Sequence, residues 1–398
     1  MTSRAAVPAR PLARRMGAIE PFHVMDVMAR AAALERGGRS VIHMEVGEPD
    51  FPTPEPIRRA AAAALAAGAL PYTVALGLPE LREAIAGFYR TRYGVEVSPD
   101  RVIVTPGSSG ALLLALAVLL DPGSELLVAD PGYPCNRQFA RTVDGEPVGL
   151  PVGPETGWQL TPELVEARWG ERTAAALVAS PANPTGTLVG EAALRGIHEV
   201  VRRRGGRLVV DEIYHGLTYG ADPGTALAIS DQLFVVNSFS KYWAMTGWRL
   251  GWMVSPPEYV RELEKLAQNL YICPSALAQR AALAAFLPET LAVLEARREE
   301  LRARRDLVVP ALRAMGFDVP VVPQGAFYVY AGCGAFGADS GRLALDILES
   351  AGVAITPGLD FGRNAPERHL RFSYTTSRER LVEAMDRLAR FLGGRRTA

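Results

Sequence analysis

Lysine is almost missing from this chain of 398 residues: only Lys241 and Lys265 occur, and the other 41 basic residues are arginine. Where a positive charge alone suffices the sequence uses arginine, so chemistry that requires a primary amine has two side-chain candidates plus the N-terminus. Cysteine is scarce as well. Cys135, Cys273 and Cys333 lie far apart without CxxC spacing, which argues against a disulfide framework or a zinc site and reads as reduced thiols in a cytoplasmic protein. The five histidines, His23, His43, His198, His215 and His369, are scattered with no HExxH pairing, so no metal site is expected. Net charge is absent, with 43 basic and 43 acidic residues, and no overall field favours nucleic acid or an anionic membrane. Long apolar runs are also missing. The longest, Ala111–Leu120, falls far short of the roughly 20 residues that span a bilayer.

What is present suits a large globular protein. Hydrophobic residues make up 48% and charged residues 22% of the chain, enough to bury a sizeable core. The length implies two or three domains, with interleaving allowed. The Arg-rich, acid-free start, Met1–Arg15, is interrupted by Pro8 and Pro11, so it reads as an N-terminal arm (1–19) rather than an amphipathic targeting helix.

Short apolar segments alternate with helical ones through the middle of the chain. Arg101–Thr105, Leu126–Ala129, Ala175–Ala179, Arg207–Val210, Leu233–Asn237 and Gly251–Val254 read as buried strands, which predicts an α/β fold with a mainly parallel sheet covered on both faces. Helices are expected at His23–Arg36, at Glu191–Arg204 before Gly205-Gly206, and from Pro288 towards Met315. The C-terminal part is marked by Gly325–Tyr330, Ala344–Glu349 and His369–Tyr374. We therefore expect a large domain over 51–290 and a smaller α+β domain made from both chain ends, 20–50 and 291–398.

Four strand ends carry unusual polar residues, and in open parallel sheets ligands bind beyond the carboxyl ends of strands. Thr105-Pro106-Gly107-Ser108-Ser109-Gly110 opens a helix with small and hydroxyl residues; this suits an anion at a helix N-terminus, although a plain cap uses the same residues. Asn183 in Asn-Pro-Thr-Gly is held extended by Pro184, so its amide is fixed; a simple turn would look alike. Asp211 ends a buried strand in Asp-Glu-Ile-Tyr, where a carboxylate needs a cation. A protonated pyridine nitrogen would serve, as would an arginine, and Tyr214 could donate to the same ring. Lys241 follows Ser238-Phe239-Ser240 amid Phe239, Tyr242 and Trp243, where desolvation makes an amine nucleophilic. Lys265 sits in a charged helix and reads as a solvated ion pair. Together these are the parts needed to bind pyridoxal 5′-phosphate.

The chain resembles the class I/II aminotransferases of the fold-type I pyridoxal phosphate enzymes. The resemblance runs from about Ile19 to the C-terminus and includes Val46-Gly47-Glu48-Pro49-Asp50-Phe51, Tyr72-Thr73 with Gly77, the Asn-Pro-Thr-Gly block, Asp211-Glu212-Ile213-Tyr214, Ser-Phe-Ser-Lys with Gly247-Trp248-Arg249, and Arg371-Phe372-Ser373-Tyr374. It implies a ping-pong transamination in which Lys241 forms the internal aldimine and then shuttles the Cα proton. Asp211 would keep the pyridine nitrogen protonated, Asn183 and Tyr214 would contact the ring oxygen, and Tyr133 would stack on the ring. Ser108, Ser109, Ser238 and Arg249 would hold the phosphate, joined by Tyr72 from the partner subunit of a homodimer. Arg371 would clamp the substrate α-carboxylate, with Gly47 and Asn183 lining the same pocket. The resemblance weakens at Gln268–Gln279, where Leu270, Tyr271, Ile272 and Cys273 replace a polar stretch.

Two other readings use the same residues. A lyase or synthase of the C–S lyase or aminocyclopropane-carboxylate synthase type could run on this site. A regulator with an aminotransferase-like sensor domain would need a DNA-binding domain, for which about 20 leading residues are too few.

Overall fold

The computed structural model describes residues 12–220 and 223–393. Its centre is a seven-stranded sheet. From edge to edge the strands are Val102–Thr105, Gly251–Val254, Phe234–Ser238, Arg207–Asp211, Thr173–Ala179, Glu125–Asp130 and Glu146–Pro151. Gly251–Val254 runs antiparallel to both of its neighbours and every other pairing is parallel. Val102–Thr105 therefore points the same way as the parallel strands, and the ends of four strands share one edge of the sheet. The strand Glu146–Pro151 was not foreseen. Pro147, Gly149 and Pro151 discourage a ladder, but an edge strand tolerates them because one side needs no partner.

Helices form where the apolar spacing requires them. Glu191–Arg203 buries Leu194, Ile197, Val200 and Val201 along one stripe, starts with Glu191 and ends with Arg202 and Arg203, which complements the helix dipole. The chain then turns through Gly205 at φ 78°, a conformation glycine adopts without strain. His23–Arg36 is helical as expected. The helix Pro288–Met315 is 28 residues long and buries Leu294, Leu301 and Val308 at heptad spacing, carrying Pro310 inside it.

Both ends of the chain meet beside the large sheet. Ile42–His43 pairs in parallel with Val353–Ala354. Three antiparallel strands, Thr356–Pro357, His369–Ser373 and Tyr328–Gly332, form a second sheet with His369–Ser373 in the middle. The segment marked at Gly325–Tyr330 thus enters its strand at Tyr328, and Ala344–Glu349 lies within the helix Ser340–Ala351. Of the N-terminal arm, residues 1–11 lie outside the described residues. The remainder includes a short turn, Arg14–Gly17, anchored where Arg15 donates to Thr142 O and Asp144, each at 3.0 Å. No single described helix is long and apolar enough to cross a membrane.

Candidate active site

The carboxyl edge of the large sheet shapes the floor of a cavity of about 250 Å³. Eight residues singled out in the sequence line it: Gly47, Ser108, Tyr133, Asn183, Asp211, Tyr214, Lys241 and Arg371. They come from seven separate stretches of chain, so only folding brings them together.

One corner is the start of the helix Gly107–Leu119. Its N-cap is Pro106, which supplies no side-chain hydrogen bond, leaving the first-turn N–H groups to find another acceptor. Gly107 has φ 73°, and a Cβ there would come within 2.8 Å of Arg249 Nη2. The guanidinium can pack against the turn only because residue 107 has no side chain. Gly251 permits a similar approach, since its Cβ would lie 2.7 Å from Ser108 N. Ser238 ends the adjacent strand, with Oγ 3.1 Å from Leu250 O. Ser109, Ser238 and Arg249 thus sit beside the cavity rather than on its lining.

At the centre stand two oppositely tuned groups. Asp211 is 4% exposed and accepts from the backbone N–H of Ile213 at 3.0 Å. Burial raises its carboxyl to about 6, and among the described residues it forms no ion pair. Lys241 donates to Gly47 O at 2.5 Å. Burial lowers its amine to about 8, so a substantial fraction is neutral and nucleophilic near physiological pH. Lys265, in contrast, is exposed and pairs with Glu262, as its helix suggested.

The third feature is a buried cation that no described carboxylate pairs. Arg371 is 5% exposed. It donates to Asn183 Oδ1 at 3.1 Å, to Thr356 Oγ1 at 3.1 Å and to the carbonyl of Glu45. The rings of Tyr328 and Phe361 lie 4.5 and 5.0 Å from its Cζ, and its Nε has no hydrogen-bond partner. Among the described residues no carboxylate pairs with it. An uncompensated buried guanidinium is costly, and an anionic ligand would relieve that cost through paired N–H donors.

Tyr72 is not on the cavity wall, and its side chain is 80% exposed. Several wall residues were not singled out in the sequence. Tyr328 holds Tyr214 through a 2.9 Å contact between hydroxyl oxygens, and its hydroxyl occupies the space that a side chain on Gly47 would fill. Glu45 and Thr356 accept from Arg371, while Phe22, Val24, Met25 and Met28 also line the cavity. No local spacing marks these residues. Val24, Met25 and Met28 lie in the predicted helix and Tyr328 in the marked segment Gly325–Tyr330, whereas Phe22, Glu45 and Thr356 carry no signal.

A model of the family described as aminotransferase class I and II matches residues 39–388. The chain is 42% identical over 376 residues to a valine–pyruvate aminotransferase of Mycobacterium tuberculosis, covering 94% of this chain and 97% of that protein. It is 38% identical over 389 residues to an aspartate/prephenate aminotransferase of Thermus thermophilus, covering 96% and 99%. A crystal structure of an aminotransferase from Mycobacterium tuberculosis superposes with a TM-score of 0.94 at 41% identity, covering 97% of this chain and all of that one.

The chain belongs to the class I and II aminotransferases. It is an enzyme of the transaminase type with the fold-type I architecture, as the motifs implied. Neither the lyase reading nor the regulator reading gains support from these relatives.

Proposed function

We propose that this aminotransferase holds pyridoxal 5′-phosphate covalently on Lys241 and moves an amino group from an L-amino acid to a 2-oxo acid in two half-reactions. The observation that carries this reading is the presence in one cavity of a buried, partly neutral amine, Lys241, and a buried carboxylate, Asp211, that forms no ion pair among the described residues. The residues present fit the cofactor. Asp211 would accept from the protonated ring nitrogen, Asn183 and Tyr214 would lie at the ring oxygen, and Tyr133 would cover a face. The uncapped helix start with Ser108, Ser109, Ser238 and Arg249 would take the phosphate. When bound, the cofactor supplies a carbonyl to condense with amines and a cationic ring to delocalise the electrons left at Cα.

The chain's own contribution is positioning and proton handling. Arg371 would fix the α-carboxylate through its two terminal nitrogens, with Gly47 and Asn183 lining that side. The freed amine of Lys241 would take the Cα proton of the donor and hand it to the cofactor carbon that receives the nitrogen. The net exchange conserves all atoms: one amino acid becomes its 2-oxo acid while one 2-oxo acid becomes its amino acid.

The reading extends to a cytoplasmic homodimer in which Tyr72 reaches the phosphate of the neighbouring subunit. The exposed side chains of Tyr72, Val74, Leu270 and Ile272 support an apolar contact surface. Gln279 ties their two segments together, reaching Thr73 Oγ1 at 3.1 Å and Pro274 O at 3.0 Å. Three free cysteines fit a reducing compartment. We also assign residues 20–50 and 291–398 to a small domain beside the 51–290 unit.

The test is spectroscopic. Protein incubated with pyridoxal 5′-phosphate should gain visible absorption that borohydride bleaches, leaving the label on the peptide containing Lys241. An amino acid without an acceptor should then yield one equivalent of 2-oxo acid per site. Catalytic release of ammonia instead would refute transamination.

A further inference from the structure

The names of relatives span aliphatic and acidic donors, so the substrate class must be read from the cavity. We infer that the side-chain subsite takes aliphatic and aromatic amino acids and monocarboxylic 2-oxo acids, and discriminates against substrates with a second carboxylate. This rests on the proposed role of Arg371 in binding the α-carboxylate.

The position of the subsite follows from two contacts. Asp360 anchors the start of the helix His23–Arg36, accepting from the backbone N–H groups of His23 at 2.7 Å and Val24 at 2.9 Å. The next residue, Phe361, lies with its ring 5.0 Å from Arg371 Cζ. The helix is thereby held beside the carboxylate clamp, and it contributes Val24, Met25 and Met28 to the wall, with Phe22 just before it. Methionine in particular adapts its shape to different apolar partners. Substrate carbon beyond Cα would meet these side chains.

The charges on the wall point the same way. The side chains of Lys, Arg, Asp and Glu lining the cavity are Glu45, Asp211, Lys241, Asp360 and Arg371. Both cations are committed under the proposed function, Lys241 to the cofactor and Arg371 to the α-carboxylate. Asp211 is committed to the ring. What remains is acidic: Asp360, which accepts from two backbone N–H groups, and Glu45, whose Oε1 pairs with His43 behind the wall and whose Oε2 is buried without a hydrogen-bond partner. A second substrate carboxylate would find carboxylates and thioether, with no uncommitted Lys or Arg of this chain among the described wall residues to compensate its lost hydration. An apolar side chain loses nothing there, and each well-fitted methylene is worth about tenfold or more in discrimination.

The experiment compares donors on the cofactor-loaded enzyme. Rates of spectral conversion with L-leucine, L-valine and L-phenylalanine should exceed those with L-aspartate and L-glutamate by about tenfold or more. Calorimetric binding of unreactive analogues gives a second readout: isocaproate should bind at least tenfold more tightly than glutarate. Met25→Arg supplies a cation on the wall. Because Met25 is 56% exposed, the change should leave the melting temperature and the visible cofactor band intact while shifting the leucine-to-glutamate ratio towards glutamate. Equal or faster conversion of the acidic donors by the unaltered enzyme would overturn the inference while leaving transamination in place. If no amino acid altered the cofactor spectrum, the proposed function itself would fail and this inference with it.

Discussion

The Lys241 amine donates to the carbonyl oxygen of Gly47 at 2.5 Å, across 194 positions of sequence. The contact joins the carboxyl edge of the large sheet to the segment that follows the Ile42–His43 strand, where the chain ends come together. A buried amine held by a neutral carbonyl keeps a hydrogen-bond acceptor without gaining the full stabilisation of an ion pair, so burial dominates and its basicity falls.

Lys241→Ala should abolish the visible band of the cofactor-loaded protein, and Lys265→Ala should preserve it. Absorption spectra before and after borohydride treatment of both variants check this. Loss of the band in the Lys265 variant would contradict the assignment.

The lowered basicity predicts the pH dependence of cofactor loading. Condensation needs the neutral amine, whose fraction rises with pH until it passes the group's own value. The rate of band formation should therefore rise from pH 6, reach half its maximum near 8 and level off above it. A rate still climbing steeply at pH 10 would indicate an ordinary solvated lysine.

Arg371→Lys keeps the charge but loses the planar fork. Charge-assisted hydrogen bonds contribute roughly 1.5–3 kcal/mol each, so KM for amino donors should rise by roughly ten- to a hundredfold. The cofactor band should persist. Steady-state kinetics with one donor at several concentrations, alongside the spectrum, separates the two effects.

Tyr72 offers a test of subunit sharing. Lys241→Ala and Tyr72→Ala proteins should each be impaired alone. If Tyr72 acts across the interface, a mixed dimer contains one intact site, and subunit exchange between the variants should restore activity. Absence of recovery, with mixed dimers verified by mass, would place Tyr72 outside the partner's site.

His43 makes a separate prediction about stability. Its Nδ1 lies 2.7 Å from Glu45 Oε1 and its Nε2 3.2 Å from Glu35 Oε1, and the bond to Glu45 foremost raises the imidazole to about 9. A folded-state value above the unfolded one contributes stability that is complete below about 6.5 and disappears as pH rises to about 9. The melting temperature should decline across that window, and His43→Gln should flatten the decline.

The sequence by itself determined the local pieces. Strand ends, helix stripes and glycine turns follow from apolar period and backbone freedom, which act over a few residues, and the scarcity of lysine left Lys241 as the one amine in an apolar setting. The edge strand Glu146–Pro151 escaped because its proline and glycine content speaks against pairing, and only its place at the sheet edge makes them acceptable. Tertiary structure decided everything that depends on distance through space. It buried Arg371 with no carboxylate among the described residues to pair it, set Tyr328 against Gly47 and Tyr214, and laid Phe22 and the apolar helix face of Val24, Met25 and Met28 beside the clamp. Desolvation is the physical reason these matter: the tuned basicity of Lys241 and Asp211 and the charge balance of the cavity are properties of an enclosure, which no stretch of sequence encloses alone.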